Sequence, residues 1–187
     1  MKVDFIIIWA NKCGTTWLAK MLNQHKEVFI PEQKELHYFN WKFGTDSSLE
    51  NPNRKLWDKR YEKFFAKSKE WEFKGEWTPV YLFDKEAPEN IYKYNPNAKL
   101  IAMLRHPIER SFSQYLYFIQ KGIVDEKTTF MQAIKDEYDS IIWRSLCYEQ
   151  IKRYQKKFPK ENLLILFHDD LKKDNKKLLE QVESFIL

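Results

Sequence analysis

Residues 6–18 read Ile6-Ile7-Ile8-Trp9-Ala10-Asn11-Lys12-Cys13-Gly14-Thr15-Thr16-Trp17-Leu18. An apolar run ends, a short turn follows and a helical pattern begins, so the stretch predicts a strand, a loop and a helix N-terminus. Backbone N–H groups at a helix start are unpaired, and the helix dipole adds positive potential there. Gly14 lets the backbone approach a ligand closely, Lys12 adds a mobile charge, and Thr15 and Thr16 add hydroxyl donors. The stretch therefore predicts an anion site, for a phosphate group.

Other interpretations of this loop stay open from the residues alone. In one alternative, Thr15 and Thr16 do no more than cap the helix, and Lys12 lies in solvent. The loop is not a Walker A motif, because that motif places its lysine after the second glycine, whereas Lys12 precedes Gly14. Cys13 is either a reactive thiol or a small residue at a tight turn, and we favour the small residue.

Length and charge limit the kind of protein. A chain of 187 residues predicts one domain with its own core. The formal charge of +5 suits an anionic cofactor or an acidic substrate, and no basic tract indicates nucleic acid as a partner. The two cysteines do not indicate a disulfide framework. Because we find neither a signal peptide nor a run of about 20 apolar residues, we expect a soluble, cytoplasmic protein without stable membrane insertion.

Apolar runs alternate with helical patterns along the chain. Strands are predicted at 3–9, 28–30, 72–77, 99–104 and 162–167, and helices at 16–25, 61–69, 87–94, 107–121, 129–138, 141–158 and 175–186. Residues 40–60 read as a long aromatic and polar excursion. This order predicts an α/β three-layer sandwich with a central parallel sheet and a P-loop-like phosphate-binding loop. In such sheets ligands bind beyond the carboxyl ends of strands, where the loop at 10–16 and the segment after Leu104 both lie.

A second informative stretch reads Leu104-Arg105-His106-Pro107-Ile108-Glu109-Arg110-Ser111-Phe112-Ser113-Gln114-Tyr115. Arg105 leaves a predicted strand, and Ser113 lies about two turns into a predicted helix, on the face of Glu109 and Arg110. Arginine can hold a phosphate through paired N–H donors, and a serine can add another. Alternatively, Arg105 and Arg110 only pair with Glu109 or other carboxylates.

The third stretch reads Pro31-Glu32-Gln33-Lys34-Glu35-Leu36-His37-Tyr38-Phe39. Glu35 and His37 alternate with apolar residues, so both could point to one face of an extended segment. A carboxylate or imidazole within hydrogen-bond reach of an acceptor hydroxyl can take its proton. Equally, Glu35 can be a surface carboxylate and His37 a histidine at the edge of the core.

These stretches resemble the motifs of one enzyme family. K-x-G-T-T, from Lys12, resembles the 5′-phosphosulfate loop of sulfotransferases that use 3′-phosphoadenosine 5′-phosphosulfate (PAPS), and R-x-P-x-x-R-x-x-S-x-Y, from Arg105, resembles their 3′-phosphate motif. K-E-L-H-Y-F resembles the E-x-H-F-F segment of heparan-sulfate-type glucosaminyl sulfotransferases. The segment from Trp77 to Tyr81 aligns with the family's K-T-P-x-Y, with Trp77 in place of lysine. The resemblance runs from about Val3 to Leu187.

The resemblance implies roles for individual residues. The 5′-phosphosulfate would be held by the loop amides and by Lys12, Cys13, Gly14, Thr15, Thr16 and Trp17, and the 3′-phosphate by Arg105 and Ser113. Lys12 would also stabilise the leaving phosphate oxygen, and Glu35 would be the general base with His37 assisting. His37 and Trp77 would contact the acceptor, for which a saccharide hydroxyl is expected. The scheme uses PAPS as co-substrate, with adenosine 3′,5′-bisphosphate as product, and no metal.

Three points remain open at this stage. Family members continue with a basic, glycine-containing segment that we do not find here. We therefore expect a single domain over 1–187 that is truncated at the C-terminus, is a compact variant, or closes its adenosine pocket differently. One alternative is a P-loop kinase or NTPase, with residues 165–170 as a strand that ends in a magnesium-binding aspartate. Another is a non-catalytic module that binds acidic glycans or nucleic acid, which a steep salt dependence would reveal.

Overall fold

The computed structural model describes residues 2–9, 11–41, 59–136 and 139–187, with the backbone alone at residues 15, 59, 139 and 140. The strands in these ranges are β1 (Phe5–Ile7), β2 (Val28–Phe29), β3 (Phe73–Trp77), β4 (Lys99–Leu104) and β5 (Leu163–Phe167). They form one parallel sheet of five strands in the order β2-β3-β1-β4-β5. The predicted parallel α/β sheet is thus confirmed, and each strand lies within a predicted one.

Helices connect the parallel strands, as crossover connections require. In the described ranges they are α1 (Thr15–Leu22), α2 (Lys59–Lys63), α3 (Val80–Phe83), α4 (Ala87–Tyr94), α5 (Pro107–Gln120), α6 (Phe130–Lys135), α7 (Asp139–Ile142), α8 (Cys147–Gln155), α9 (His168–Lys173) and α10 (Asn175–Ile186). Two 3₁₀ turns, at Trp143–Ser145 and Lys160–Asn162, complete the described elements. The C-cap of α5 is Lys121, and Gly122, which was predicted as the C-cap, is the next residue, with a φ of 67°.

The central strand β1 is completely buried. A parallel strand covered on both faces needs an unbroken apolar run, and all three residues of β1 have no exposed surface. Phe5 is level with Gly75 on β3. A Cβ atom on Gly75 would lie 2.0 Å from Cζ of Phe5, so the Phe5 ring occupies the space that a side chain at residue 75 would need.

The predicted single helix over residues 141–158 is wrong. α7 ends at Ile142, a 3₁₀ turn follows, and α8 begins at Cys147. The Ile141 carbonyl, which a continuous helix would offer to the backbone of Ser145, accepts hydrogen bonds from the side chains of Arg110, Ser111 and Ser145. Because two of these donors come from α5, the break depends on a tertiary contact.

Other boundaries also differ from the predictions. The predicted helix at 61–69 ends at Lys63. The Ser68 hydroxyl instead donates to the Phe65 carbonyl at 2.6 Å, a local bond that competes with helix formation. The short helices α3 and α9 were not predicted, and most of the predicted excursion at 40–60 lies outside the described residues.

Gly75→Ala should lower the free energy of unfolding by about 1–3 kcal/mol or more, because a methyl group would overlap the Phe5 ring. Denaturant unfolding of Gly75→Ala, Phe5→Leu and the double variant measures this. Since leucine removes ring atoms, we expect the double variant to be more stable than the sum of the single effects predicts. Strictly additive effects would contradict the packing explanation.

Candidate functional site

Two residues of the loop between β1 and α1 have left-handed backbone. Gly14 has a φ of 92° and Lys12 a φ of 72°, both in the left-handed region. The φ of Gly14 favours glycine, and a Cβ atom there would also lie 2.9 Å from Cδ2 of Leu171, which would have to shift. The backbone N–H of Trp17 donates to the Gly14 carbonyl at 3.1 Å and closes the first turn. The N–H groups before it belong to the helix start, where no intrahelical acceptor exists.

The side chains of the loop differ in what a ligand can reach. Cys13 is completely buried, and burial raises the pKa of its thiol to about 12, so the thiol is protonated at neutral pH and only its backbone can face a ligand. This favours the small-residue interpretation of Cys13. Thr16 is exposed, while Trp17 is half-buried against the core. The side chain of Thr15 lies outside the described part of the chain.

Lys12 and Arg105 come together from the ends of β1 and β4. Nζ of Lys12 lies 4.5 Å from the centroid of the Tyr117 ring on α5. Nη1 of Arg105 donates to the Lys12 carbonyl at 3.3 Å. Burial and the nearby positive charge of Arg105 lower the pKa of Lys12. The two stretches that the sequence predicts as anion sites are therefore adjacent in space.

Arg105 is oriented by a carboxylate on α5. Its Nε and Nη2 both lie 3.2 Å from Oε2 of Glu109, and Nζ of Lys172 lies 3.4 Å from the same oxygen. The hydrogen bond from Arg105 and the charge of Lys172 lower the pKa of Glu109. A phosphate at this position would compete with Glu109 for the guanidinium N–H groups.

Ser113 and Arg110, predicted to share a helix face, have different environments. Ser113 is half-buried on α5. Arg110 is completely buried and donates to the Ser145 hydroxyl and the Ile141 carbonyl. Burial lowers the pKa of Arg110 to about 10. Arg110 therefore holds α5 against the turn after α7, and only Ser113 remains near enough to the surface to contact a ligand.

Two residues of α9 that were not predicted reach the site. Lys172 contacts Glu109, and Cδ2 of His168 lies 3.4 Å from where a Cβ on Gly14 would be. Nδ1 of His168 is buried and has no hydrogen-bond partner among the described residues. Burial, together with the positive charges of Arg105 and Lys172, lowers the pKa of His168. Their position in the sequence could have indicated them, because they directly follow the predicted strand at 162–167, and ligands bind beyond the carboxyl ends of parallel strands.

Glu35 and His37 lie on a segment with left-handed backbone. Their φ angles are 55° and 52°, so the predicted extended conformation is wrong. The side chains nevertheless meet, with Oε2 of Glu35 3.3 Å from Nε2 of His37. Nδ1 of His37 lies 3.2 Å from Oδ1 of Asn40, so both ring nitrogens of His37 face an oxygen atom. The Glu35 side chain is 45% exposed and that of His37 10%, so a ligand can reach Glu35.

Positive side chains flank Glu35. Arg144 is buried, and its pKa is lowered by burial while the charge of Glu35 raises it. Lys34 is exposed, and its Nζ lies 5.8 Å from the centroid of the Trp77 ring. Trp77 ends β3 with 7% of its surface exposed, so only a small part of the ring is open to a ligand. Its role in acceptor binding remains a prediction.

Glu76, one residue before Trp77, is a buried carboxyl group among hydroxyls. It accepts hydrogen bonds from Tyr61 at 2.7 Å, from Tyr81 at 3.2 Å and from Thr78 at 3.4 Å. Burial raises its pKa to about 7, although these hydrogen bonds act in the opposite direction. With 1% of its surface exposed, Glu76 cannot itself reach a ligand.

The described ranges contain no cluster of three or more His, Cys, Asp or Glu residues that could hold a metal ion. Nor is any helix within them both long and apolar enough to cross a bilayer. The groups that the site does offer are loop amides, adjacent cations and a carboxylate–imidazole pair. Together they can bind a phosphorylated ligand and remove a proton from a second molecule.

Comparison with known proteins identifies the kind of domain. The family described as "Sulfotransferase domain" matches residues 2–186. The chain is 30% identical over 160 residues to the membrane-associated sulfotransferase kil1 of Dictyostelium discoideum, covering 83% of this chain and 31% of that protein. It is 28% identical over 194 residues to human heparan sulfate glucosamine 3-O-sulfotransferase 5, covering 97% of this chain and 52% of that protein. The chain thus spans about a third to a half of these relatives.

Solved structures share the fold. A sulfotransferase from Alicyclobacillus acidocaldarius superimposes with a TM-score of 0.86 at 25% identity, covering 100% of this chain and 81% of that one. Mouse sulfotransferase SULT7A1, solved in complex with PAP, has a TM-score of 0.67 at 17% identity, covering 100% of this chain and 59% of that one. The second comparison concerns the fold alone.

Glu76→Gln should change how stability depends on pH. Because the folded pKa of about 7 exceeds the unfolded value of 4.5, the folded state binds more protons, and its advantage is lost as pH rises through about 7. Between pH 5 and pH 8, the free energy of unfolding of the native chain should fall by about 2–3 kcal/mol more than that of the Glu76→Gln variant. Denaturant unfolding at both pH values measures the difference, and parallel changes in the two proteins would contradict it.

Proposed function

Because the chain belongs to the sulfotransferase family, we propose that it moves a sulfuryl group from PAPS to a hydroxyl of a saccharide acceptor. The observation that carries this proposal is a convergence at one sheet edge. Lys12 follows β1 and Arg105 follows β4. The Glu35–His37 pair lies at the same edge, because the backbone N–H of His37 donates to Oγ1 of Thr78, directly after β3. The saccharide is supported by the relative named heparan sulfate glucosamine 3-O-sulfotransferase 5.

The residues present suit an anionic nucleotide. Gly14 has a φ of 92° and carries no side chain, so its backbone can approach a phosphate closely at the start of the helix. We assign the 5′-phosphosulfate to Lys12, Thr16 and the amides of Cys13 and Gly14, and to Thr15 and Trp17 of the first helical turn. We assign the 3′-phosphate to Arg105 and Ser113. Nδ1 of His168, which has no hydrogen-bond partner among the described residues, adds a buried polar atom beside the loop.

The catalytic roles follow from charge and exposure. Glu35 accepts the proton of the acceptor hydroxyl as that oxygen bonds to sulfur, and His37 orients the Glu35 carboxylate. Lys12 stabilises the negative charge left on the phosphate oxygen when its bond to sulfur breaks. Trp77 and His37 border the acceptor. The fold contributes by holding both reactants in line, because positioning supplies a large part of the rate in such transfers.

Arg105→Ala should weaken binding of adenosine 3′,5′-bisphosphate by about tenfold to a hundredfold, because a charged hydrogen bond to phosphate is lost. Calorimetry in EDTA measures this for the native chain, for Arg105→Ala and for the control Arg60→Ala. The control removes an exposed arginine on α2 and should leave the affinity unchanged. Preference for magnesium-ATP over the metal-free bisphosphate would instead support a kinase.

Glu35→Gln should reduce sulfuryl transfer by about a hundredfold or more, because the proton acceptor is lost while the charge-independent contacts remain. The affinity for adenosine 3′,5′-bisphosphate should not change. Transfer from labelled PAPS to a panel of saccharides, lipid alcohols and small alcohols measures this, with Glu32→Gln as the control for an exposed glutamate of the same segment. Full activity of Glu35→Gln would exclude the base role, and transfer only to non-saccharide alcohols would exclude the acceptor class.

A further inference from the structure

The buried carboxyl group of Glu76 accepts hydrogen bonds from three hydroxyls close to the segment that carries Glu35. Tyr61, Tyr81 and Thr78 each direct a hydroxyl at Glu76. In each of these contacts a carboxyl oxygen of Glu76 is the acceptor, so each hydroxyl donates its one proton to Glu76. Each hydroxyl oxygen is then left to act as an acceptor for something else.

Two of these hydroxyls accept consecutive backbone N–H groups of the segment that carries the candidate base. The Tyr81 oxygen accepts the N–H of Tyr38 at 2.8 Å and that of Phe39 at 3.3 Å. Oγ1 of Thr78 accepts the N–H of His37 at 3.5 Å. The segment is therefore anchored through its backbone to the residues that follow β3, independently of its own side chains.

The backbone of this segment has an unfavourable conformation. Glu35 and His37 both have positive φ angles, which residues with a Cβ rarely adopt because the arrangement costs free energy. Such conformations persist where surrounding contacts determine them. The hydrogen bonds to residues 37–39 begin within this strained stretch, and the 3.3 Å contact between Glu35 and His37 depends on its geometry.

We propose that Glu76, acting through the hydroxyls of Tyr81 and Thr78, is a positioning residue that fixes the backbone on which Glu35 and His37 lie. The importance of this segment for catalysis rests on the function proposed above. The anchoring itself is a property of the folded chain and can be measured without a substrate.

Tyr81→Phe and Tyr61→Phe form a matched pair. Each removes one hydroxyl that donates to Glu76 and keeps the aromatic ring, but only Tyr81 also contacts the segment backbone. The Tyr61 ring stacks on Tyr38 at 4.0 Å between centroids, a contact that phenylalanine retains. Both variants therefore lose a hydrogen bond to Glu76. A difference between them measures the effect of the bonds from the Tyr38 and Phe39 N–H groups to the Tyr81 hydroxyl.

Amide hydrogen exchange at Tyr38 and Phe39, followed by NMR, is the primary readout. Tyr81→Phe should accelerate exchange there by about tenfold, as expected for one lost hydrogen bond, whereas Tyr61→Phe should not. If Tyr81→Phe does not fold, Thr78→Val tests the same anchor at the amide of His37. Equal exchange in the hydroxyl-deleted and native chains would overturn the proposal.

Measurements of kcat distinguish a positioning role of Glu76 from an effect on stability alone. Tyr81→Phe and Glu76→Gln should lower kcat for sulfuryl transfer about tenfold or more while the affinity for adenosine 3′,5′-bisphosphate stays unchanged, and Tyr61→Phe should keep most of kcat. Loosened amides with unchanged kcat would overturn the positioning role. If the native chain neither binds the bisphosphate nor transfers a sulfuryl group, the proposed function fails, while the exchange comparison still decides whether these hydroxyls hold the segment.

Discussion

β1 hydrogen-bonds to β3 on one side and to β4 on the other, and the candidate site exists because of this pairing. Ile7 is level with both Trp77 and Ile101, so the ends of neighbouring strands emerge at one edge of the sheet. β5 continues the same alignment, with Phe167 opposite Leu104. Residues that lie far apart in the chain therefore meet at this edge, where the dipoles and free backbone groups of parallel α/β folds also converge.

The anion end of the site is built from cations that are held in place before any ligand arrives. Arg105 is fixed by the Lys12 carbonyl and by Glu109, and Glu109 is shared with Lys172. One carboxylate thus reduces the repulsion among neighbouring positive groups and sets the direction of the guanidinium. Preorganised charges need little rearrangement when a phosphate binds, which is the property that makes electrostatic stabilisation effective.

The segment that carries Glu35 and His37 is held by hydrogen bonds between its backbone N–H groups and side chains of other elements. The hydroxyls of Tyr81 and Thr78 accept three successive amides after Leu36, and Asp84 accepts the N–H of Trp41. Short-range patterns cannot predict such contacts, because their partners lie about 40 residues further along the chain. Alternation predicted an extended segment with Glu35 and His37 on one face. The two side chains do meet, but through left-handed backbone.

The sequence by itself determined the parallel sheet and the loop that joins β1 to α1, because apolar runs, a glycine close to a lysine and helix-start signals act over a few residues. It also singled out Arg105, by residue type and position after an apolar run, and Glu35, by alternation with apolar residues and by the resemblance of its segment to a family motif. Only the tertiary structure decided that α5 breaks the helix predicted over 141–158, that Arg110 is buried, and that α9 brings His168 and Lys172 to the loop. Each of these results depends on packing or hydrogen bonds between elements that are distant in the chain, which local propensity does not encode.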